Sequence, residues 1–239
     1  CSRIASKYGF EYFFKASYDK ANRSSSTGVR GQGLFKTMQD FAELKKELPG
    51  LKILTDVHTE KQIDVIQSAF NFCVDVLQIP AFLCRQTDLV ESACRTDKIV
   101  NIKKGQFLAP WNMDGILSKC PEEKEIWVTE RGTSFGYNTL VVDYTGIRHM
   151  LDNLSVPVVI DATHAVQKPG GLGGSSGGNR DYAPHIAYAA AAVGVRDFFF
   201  EVHPDPDNAP SDGPNMIYLD QFESVVKKLK GIIDACESF

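Results

Sequence analysis

The chain is predicted to form one α/β domain over residues 1–239, a (β/α)8 TIM barrel that lacks its first β-strand. Three observations predict it. Seven short apolar runs, rich in β-branched and aromatic residues, read as strands buried on both faces of a parallel sheet. Segments with helical periodicity lie between them. Each run ends in polar or charged residues, as strands do when they deliver side chains to the mouth of a barrel.

Taken in order, Cys1–Gly9 reads as the tail of a helix, stopped at Gly9, with Lys7 near its C-terminus. The strands are then FEYFFK (10–15), LKILTDV (51–57), VDVLQI (74–79), KIVNIK (98–103), EIWVTE (125–130), VPVVID (156–161) and DFFFEV (197–202). Helices are expected over Gly33–Leu48, Thr59–Phe72, Gln86–Thr96, Gly146–Leu154 and the Ala-rich 182–193. A closed barrel of this type needs eight strands, so the one feeding the opening helix is expected upstream of Cys1. The competing open doubly wound sheet would carry a glycine-rich phosphate turn after its first strand, and the sequence there has none.

With 43% hydrophobic residues the chain can bury a large core. A net charge of −4 and a pI near 5.8 give no global basic field, which argues against nucleic acid as a partner. Six cysteines without CxxC spacing lead us to expect reduced thiols and a cytoplasmic protein. No apolar run reaches membrane-spanning length and no signal peptide is visible, so neither a membrane partner nor export is expected.

The densest chemistry follows the first strand. Lys15, Ser17, Lys20, Asn22, Arg23, Ser24 and Ser25 crowd one strand end with cationic and hydroxyl donors suited to phosphate or carboxylate groups. Lys104 and Arg131 add positive charge after later strands, beyond what a neutral substrate could use. His164, Glu201 and Asp212 are ligand types for Zn²⁺, Fe²⁺ or Mn²⁺, with His203 as a competing ligand and a hydrogen-bonded core histidine as the plainer alternative. The run from Pro169 to Gly178 lacks the order of a dinucleotide fingerprint and reads better as a lid, so no nucleotide or organic cofactor is expected. Cys84 reads as a small packed side chain rather than a reactive thiol.

The stretches FKASYDKANRSS, LTDVH, QIPAFLCRQTDL, NIKKGQFLAPW, TERGTSFGYNTLVVD, DATHAVQKPGGLGG and FFFEVHPDP, then SDGP, span nearly the whole chain in order. They resemble 3-deoxy-D-manno-octulosonate 8-phosphate synthases, which condense phosphoenolpyruvate with arabinose 5-phosphate. The resemblance implies that Lys15, Lys20, Lys104, Gln106 and Arg131 hold phosphoenolpyruvate, and that Asn22, Arg23, Ser24 and Asp56 face the sugar phosphate. It implies a catalytic set of Lys20, Asp56, His164 and Asp212, with Lys20 as proton donor or oxyanion partner. It also implies a homotetramer in which Phe82 and Arg85 reach a neighbouring site. The family divides by a Cys or Asn on the first strand. DATHAVQKPGGLGG and Ser211 before Asp212 resemble the metal-dependent branch, in which His164, Glu201 and Asp212 would be three of four divalent-metal ligands, the fourth expected upstream of Cys1. Rival readings are a seven-carbon synthase using erythrose 4-phosphate, a Schiff-base aldolase using Lys15 or Lys104, and an inactive anion-binding fragment.

Overall fold

Seven parallel strands form one curled sheet in a computed structural model that describes residues 1–22, 30–171, 177–209 and 211–238. They are β1 (Phe13–Lys15), β2 (Lys52–Asp56), β3 (Val76–Ile79), β4 (Ile99–Lys103), β5 (Ile126–Glu130), β6 (Val158–Asp161) and β7 (Asp197–Phe199). Each pairs only with its neighbours in chain order, and β1 and β7 are the two edges. Among the described residues this is the curled parallel sheet of a (β/α)8 barrel with one strand lacking.

The helices cover the outside of the sheet. They are α1 (Ser2–Lys7), α2 (Leu34–Glu47), α3 (Glu60–Ala69), α4 (Thr87–Cys94), α5 (Asp114–Leu117), α6 (Tyr144–Asn153), α7 (Ala162–Ala165), α8 (Ala183–Ala192) and α9 (Leu219–Glu237). The expected helices are all present within a few residues; α9, which the sequence reading did not delimit, is the longest. After β4 the chain forms only a 3-10 turn, Pro110–Met113, and the single turn α5.

Alternation along the strands divides the residues between two environments. Ile53, Leu77, Ile79, Val100, Ile102, Val128, Val158 and Ile160 face the helices and join one apolar core. Alternate positions turn to the barrel interior, where Phe13 meets Trp127 edge-to-face at 5.0 Å and Thr129 donates to Asn101 at 2.6 Å. By the same parity Lys15, Asp56, Gln78, Lys103 and Asp161 lie at the interior ends of five strands. The alanines of α8 permit a close approach: Ala187 and Ala191 pack with Ala162, Leu229 and Ile233.

Cys94 and Cys120 are joined as a disulfide rather than standing as free thiols. They lie 26 residues apart, but one ends α4 and the other follows α5, so adjacent βα units bring their Cα atoms to 5.6 Å. Cys73 and Cys84 are buried and free; burial pushes the Cys84 thiol up, as a packed side chain requires. Among the described residues no helix is long and apolar enough to cross a membrane.

Leu77 tests the helix-facing core, because it is fully buried on a central strand. Leu77→Ala should lower unfolding free energy by roughly 2–5 kcal/mol, measured by urea titration.

Candidate active site at the strand ends

The strand ends gather oppositely charged groups that solvent reaches poorly. At the end of β1, the Lys15 ammonium donates to Ser17 Oγ at 2.7 Å and lies 3.5 Å from Asp56 Oδ1 at the end of β2. Burial acts to lower the Lys15 pKa, but Asp56, Glu201 and Asp161 outweigh it and raise it, so the amine stays charged. Burial likewise opposes the charge of Asp56, yet Lys15, His58 and Ser17 hold its carboxyl well below the usual range. His58 Nε2 sits 3.1 Å from Asp56 Oδ2. The turn that places His58 is set by Gln62, whose Oε1 accepts the backbone N–H groups of both His58 and Thr59 at the start of α3.

Across the mouth, Lys103 at the end of β4 pairs with the buried Asp161 at the end of β6 and lies 5.1 Å from the centre of the Phe199 ring. Desolvation lowers the Lys103 pKa against the pull of Asp161, with Arg131 and Lys15 adding to the lowering. Arg131 follows β5, and burial lowers its pKa too. It donates to Gln167 Oε1 at 2.6 Å and to the His164 carbonyl at 3.2 Å, and its Nε is buried without a hydrogen-bond partner among the described residues. The chain turns immediately after it at Gly132, whose φ of +91° favours glycine.

His164, Glu201 and Asp212 come together as the sequence reading expects. One candidate ligand atom from each lies within 4.8 Å of the others. Asp161 caps α7 and also contacts the His164 ring; the Glu201 N–H donates to Thr163 Oγ1 at 2.8 Å, which sets Glu201 beside His164. Asp212 adopts the left-handed conformation, φ +56°, and accepts from Gln167 Nε2 at 2.7 Å. Glu201 Oε2 is buried with no hydrogen-bond partner among the described residues. A His–Glu–Asp donor set with an orphaned carboxylate oxygen fits a divalent cation. His203 stands apart from this trio, its Nδ1 accepting the Asp205 N–H at 3.0 Å.

The remaining candidates divide. Gln106 is buried, with Oε1 lacking a hydrogen-bond partner among the described residues. Lys20 is half-buried, its backbone N–H donated to the Arg30 carbonyl, and Asn22 is exposed. Arg23 and Ser24, like most of the expected glycine-rich lid, lie outside the described residues. Phe82 and Arg85 are exposed on the turn after β3. Lys104 is not brought to the cluster. Being one residue past Lys103, it turns to the opposite side of the sheet, fully buried, where it pairs with Glu130 at 3.2 Å and donates to the Leu108 carbonyl at 3.1 Å. The structure adds Lys103, Asp161 and Gln167, which the candidate set omits; strand parity signals the first two.

A parallel βα barrel whose strand ends hold Lys15, Lys103 and Arg131 beside a His–Glu–Asp trio has the charged mouth of a barrel enzyme. A profile of the DAHP synthetase I family matches residues 1–236, and the chain belongs to that family. It is 54% identical over 228 residues to a protein of Brucella anthropi, covering 95% of this chain and 80% of that protein. Identity to a Chelativorans sp. protein is 52%, with the same coverage. Identity to one from Rhodopseudomonas palustris is 53%, covering 95% of this chain and 78% of the relative. All three relatives are named 2-dehydro-3-deoxyphosphooctonate aldolase.

Removing one partner of a buried ion pair strands the other charge. Lys104→Met should therefore cost about 3–5 kcal/mol of stability, measured by urea unfolding. Adding Glu130→Gln should recover part of the loss.

Proposed function

We propose that the protein condenses phosphoenolpyruvate with arabinose 5-phosphate and water, giving 3-deoxy-D-manno-octulosonate 8-phosphate and inorganic phosphate. The observation that carries the reading is the convergence of Lys15, Lys103 and Arg131 on one rim, in a chain more than half identical to relatives named for an eight-carbon phosphorylated acid. Three of those carbons would come from phosphoenolpyruvate, which leaves a five-carbon aldose phosphate. Against a Schiff-base route, Lys15 is held protonated and Lys104 faces away from the rim.

Phosphoenolpyruvate is a masked enol, so its C3 is already nucleophilic and needs no strong base. A bond forms from C3 to the aldose carbonyl carbon. Water adds at C2 and the C2–O bond breaks, phosphate departing with one of the water's protons while the other replaces the proton given to the new alkoxide. The residues serve by fixing both substrates and meeting developing negative charge. Lys15, Lys103, Arg131 and Gln106 hold the anionic donor. Asn22, Arg23, Ser24 and Asp56 are assigned to binding the sugar phosphate, and Lys20 to supplying a proton to the new alkoxide. His164, Glu201 and Asp212 would hold a divalent cation. Such an ion supplies Lewis acidity that orients the aldehyde or lowers the pKa of water. Phe82 and Arg85 are assigned to the neighbouring site of a homotetramer, and a cytoplasmic location accords with two phosphorylated substrates.

A phosphate-release assay tests the reaction. Phosphate should appear with arabinose 5-phosphate and phosphoenolpyruvate together, be much slower with erythrose 4-phosphate, and stop after chelation until Mn²⁺, Zn²⁺ or Fe²⁺ is returned. Equal turnover with the four-carbon sugar would overturn the substrate assignment, and full activity after chelation would overturn the metal assignment. By calorimetry, Lys103→Ala should weaken phosphoenolpyruvate binding by roughly 1.5–3 kcal/mol, the worth of a charge-assisted hydrogen bond.

A further inference from the structure

We infer that Asp161 is a positioning residue for His164, holding its ring so that Nε2 is the atom presented to the cation. The inference rests on the metal reading above. Asp161 is completely buried at the end of β6, where an ionised carboxylate persists only if fixed donors replace water. Three donors meet it. Oδ1 accepts the His164 backbone N–H at 2.9 Å; Oδ2 lies 2.7 Å from His164 Nδ1 and also accepts from Lys103.

Capping α7 needs Oδ1 alone and cannot explain the contact of Oδ2 with the ring. A carboxylate can only accept, so Nδ1 must carry a proton, which leaves Nε2 as the nitrogen able to offer a lone pair. Nε2 points toward Glu201, 3.6 Å from Oε1, in the trio that fits a cation. Phe199 stacks on the ring with centroids 5.7 Å apart, which fixes its plane while Asp161 fixes its rotation. A metal-binding histidine whose second nitrogen is anchored to a carboxylate has both its tautomer and its orientation set in advance.

Asp161→Asn separates the two roles. Asparagine keeps a cap acceptor but places an NH₂ group against a ring N–H. In metal-free protein labelled with ¹⁵N-histidine, wild-type His164 should be the Nδ1–H tautomer by NMR, and Asp161→Asn should move it toward Nε2–H. Mn²⁺ titration followed by electron paramagnetic resonance should show affinity about 10- to 100-fold weaker in the variant. Lys103→Met, which removes only the other partner of Oδ2, should retain the Nδ1–H tautomer. A wild-type ring in the Nε2–H form, or unchanged Mn²⁺ affinity in a folded Asp161→Asn protein, would overturn the inference. An Nδ1–H ring in wild-type protein that bound no Mn²⁺ would overturn the metal reading and leave the anchoring role of Asp161 standing.

Discussion

The arrangement of this mouth depends on one buried carboxylate. Asp161 has no access to solvent, so its charge must be met by protein groups, and those groups belong to both halves of the site. Lys103 comes from the cationic side and His164 from the trio. Burial opposes ionisation of Asp161, but His164 and Lys103, with Arg131, hold its carboxyl far below the usual range. The strand end is therefore a fixed negative point around which a cationic side chain and an imidazole are arranged. Gln167 makes a second link, accepting from Arg131 and donating to Asp212. Together these contacts tie donors from β4 and β5 to the elements that follow β6 and β7.

Most of the architecture was legible because parallel strands buried on both faces leave continuous apolar runs, and all seven runs became strands. The strands are shorter than the runs. DFFFEV, for example, stays in the sheet only through Phe199, and Val202–His203 pairs instead with Ile217–Tyr218. The α9 helix escaped delimitation, though its apolar positions Phe222, Val225, Val226, Leu229 and Ile233 recur at helical spacing. The disulfide was not legible, since 26 residues separate its cysteines and only the stacking of neighbouring βα units brings them together.

Among the site residues, the trio was found by ligand chemistry at strand ends, a signal that survives folding because it needs no knowledge of side-chain direction. The adjacent lysines show where that signal fails. Lys103 and Lys104 have the same chemistry and neighbouring numbers, yet period-two alternation sends one to the interior and the other behind the sheet. Counting inward from Asn101, which meets Thr129 inside the barrel, separates them. Gln167 carries no comparable signal, because its role depends on a turn that brings it between Arg131 and Asp212.

The charge pairing also constrains how this mouth selects what it binds. Lys15, Lys103 and Arg131 do not form a bare positive surface; Lys15 faces Asp56, Lys103 faces Asp161, and Arg131 lies among Asp161, Asp212, Glu130 and Glu201. An incoming anion must compete with carboxylates already in place, so a weak or singly charged ligand gains little over the existing pairs. A ligand with both a phosphate and a carboxylate can engage several cations at once and compensate for the pairs it loosens. Divalent metal in the trio would act in the same direction, drawing Glu201 and Asp212 toward itself and leaving the cations less completely matched. The dense carboxylates around the lysines thus favour a polyanionic substrate, because they set a threshold that only several simultaneous charge contacts can exceed.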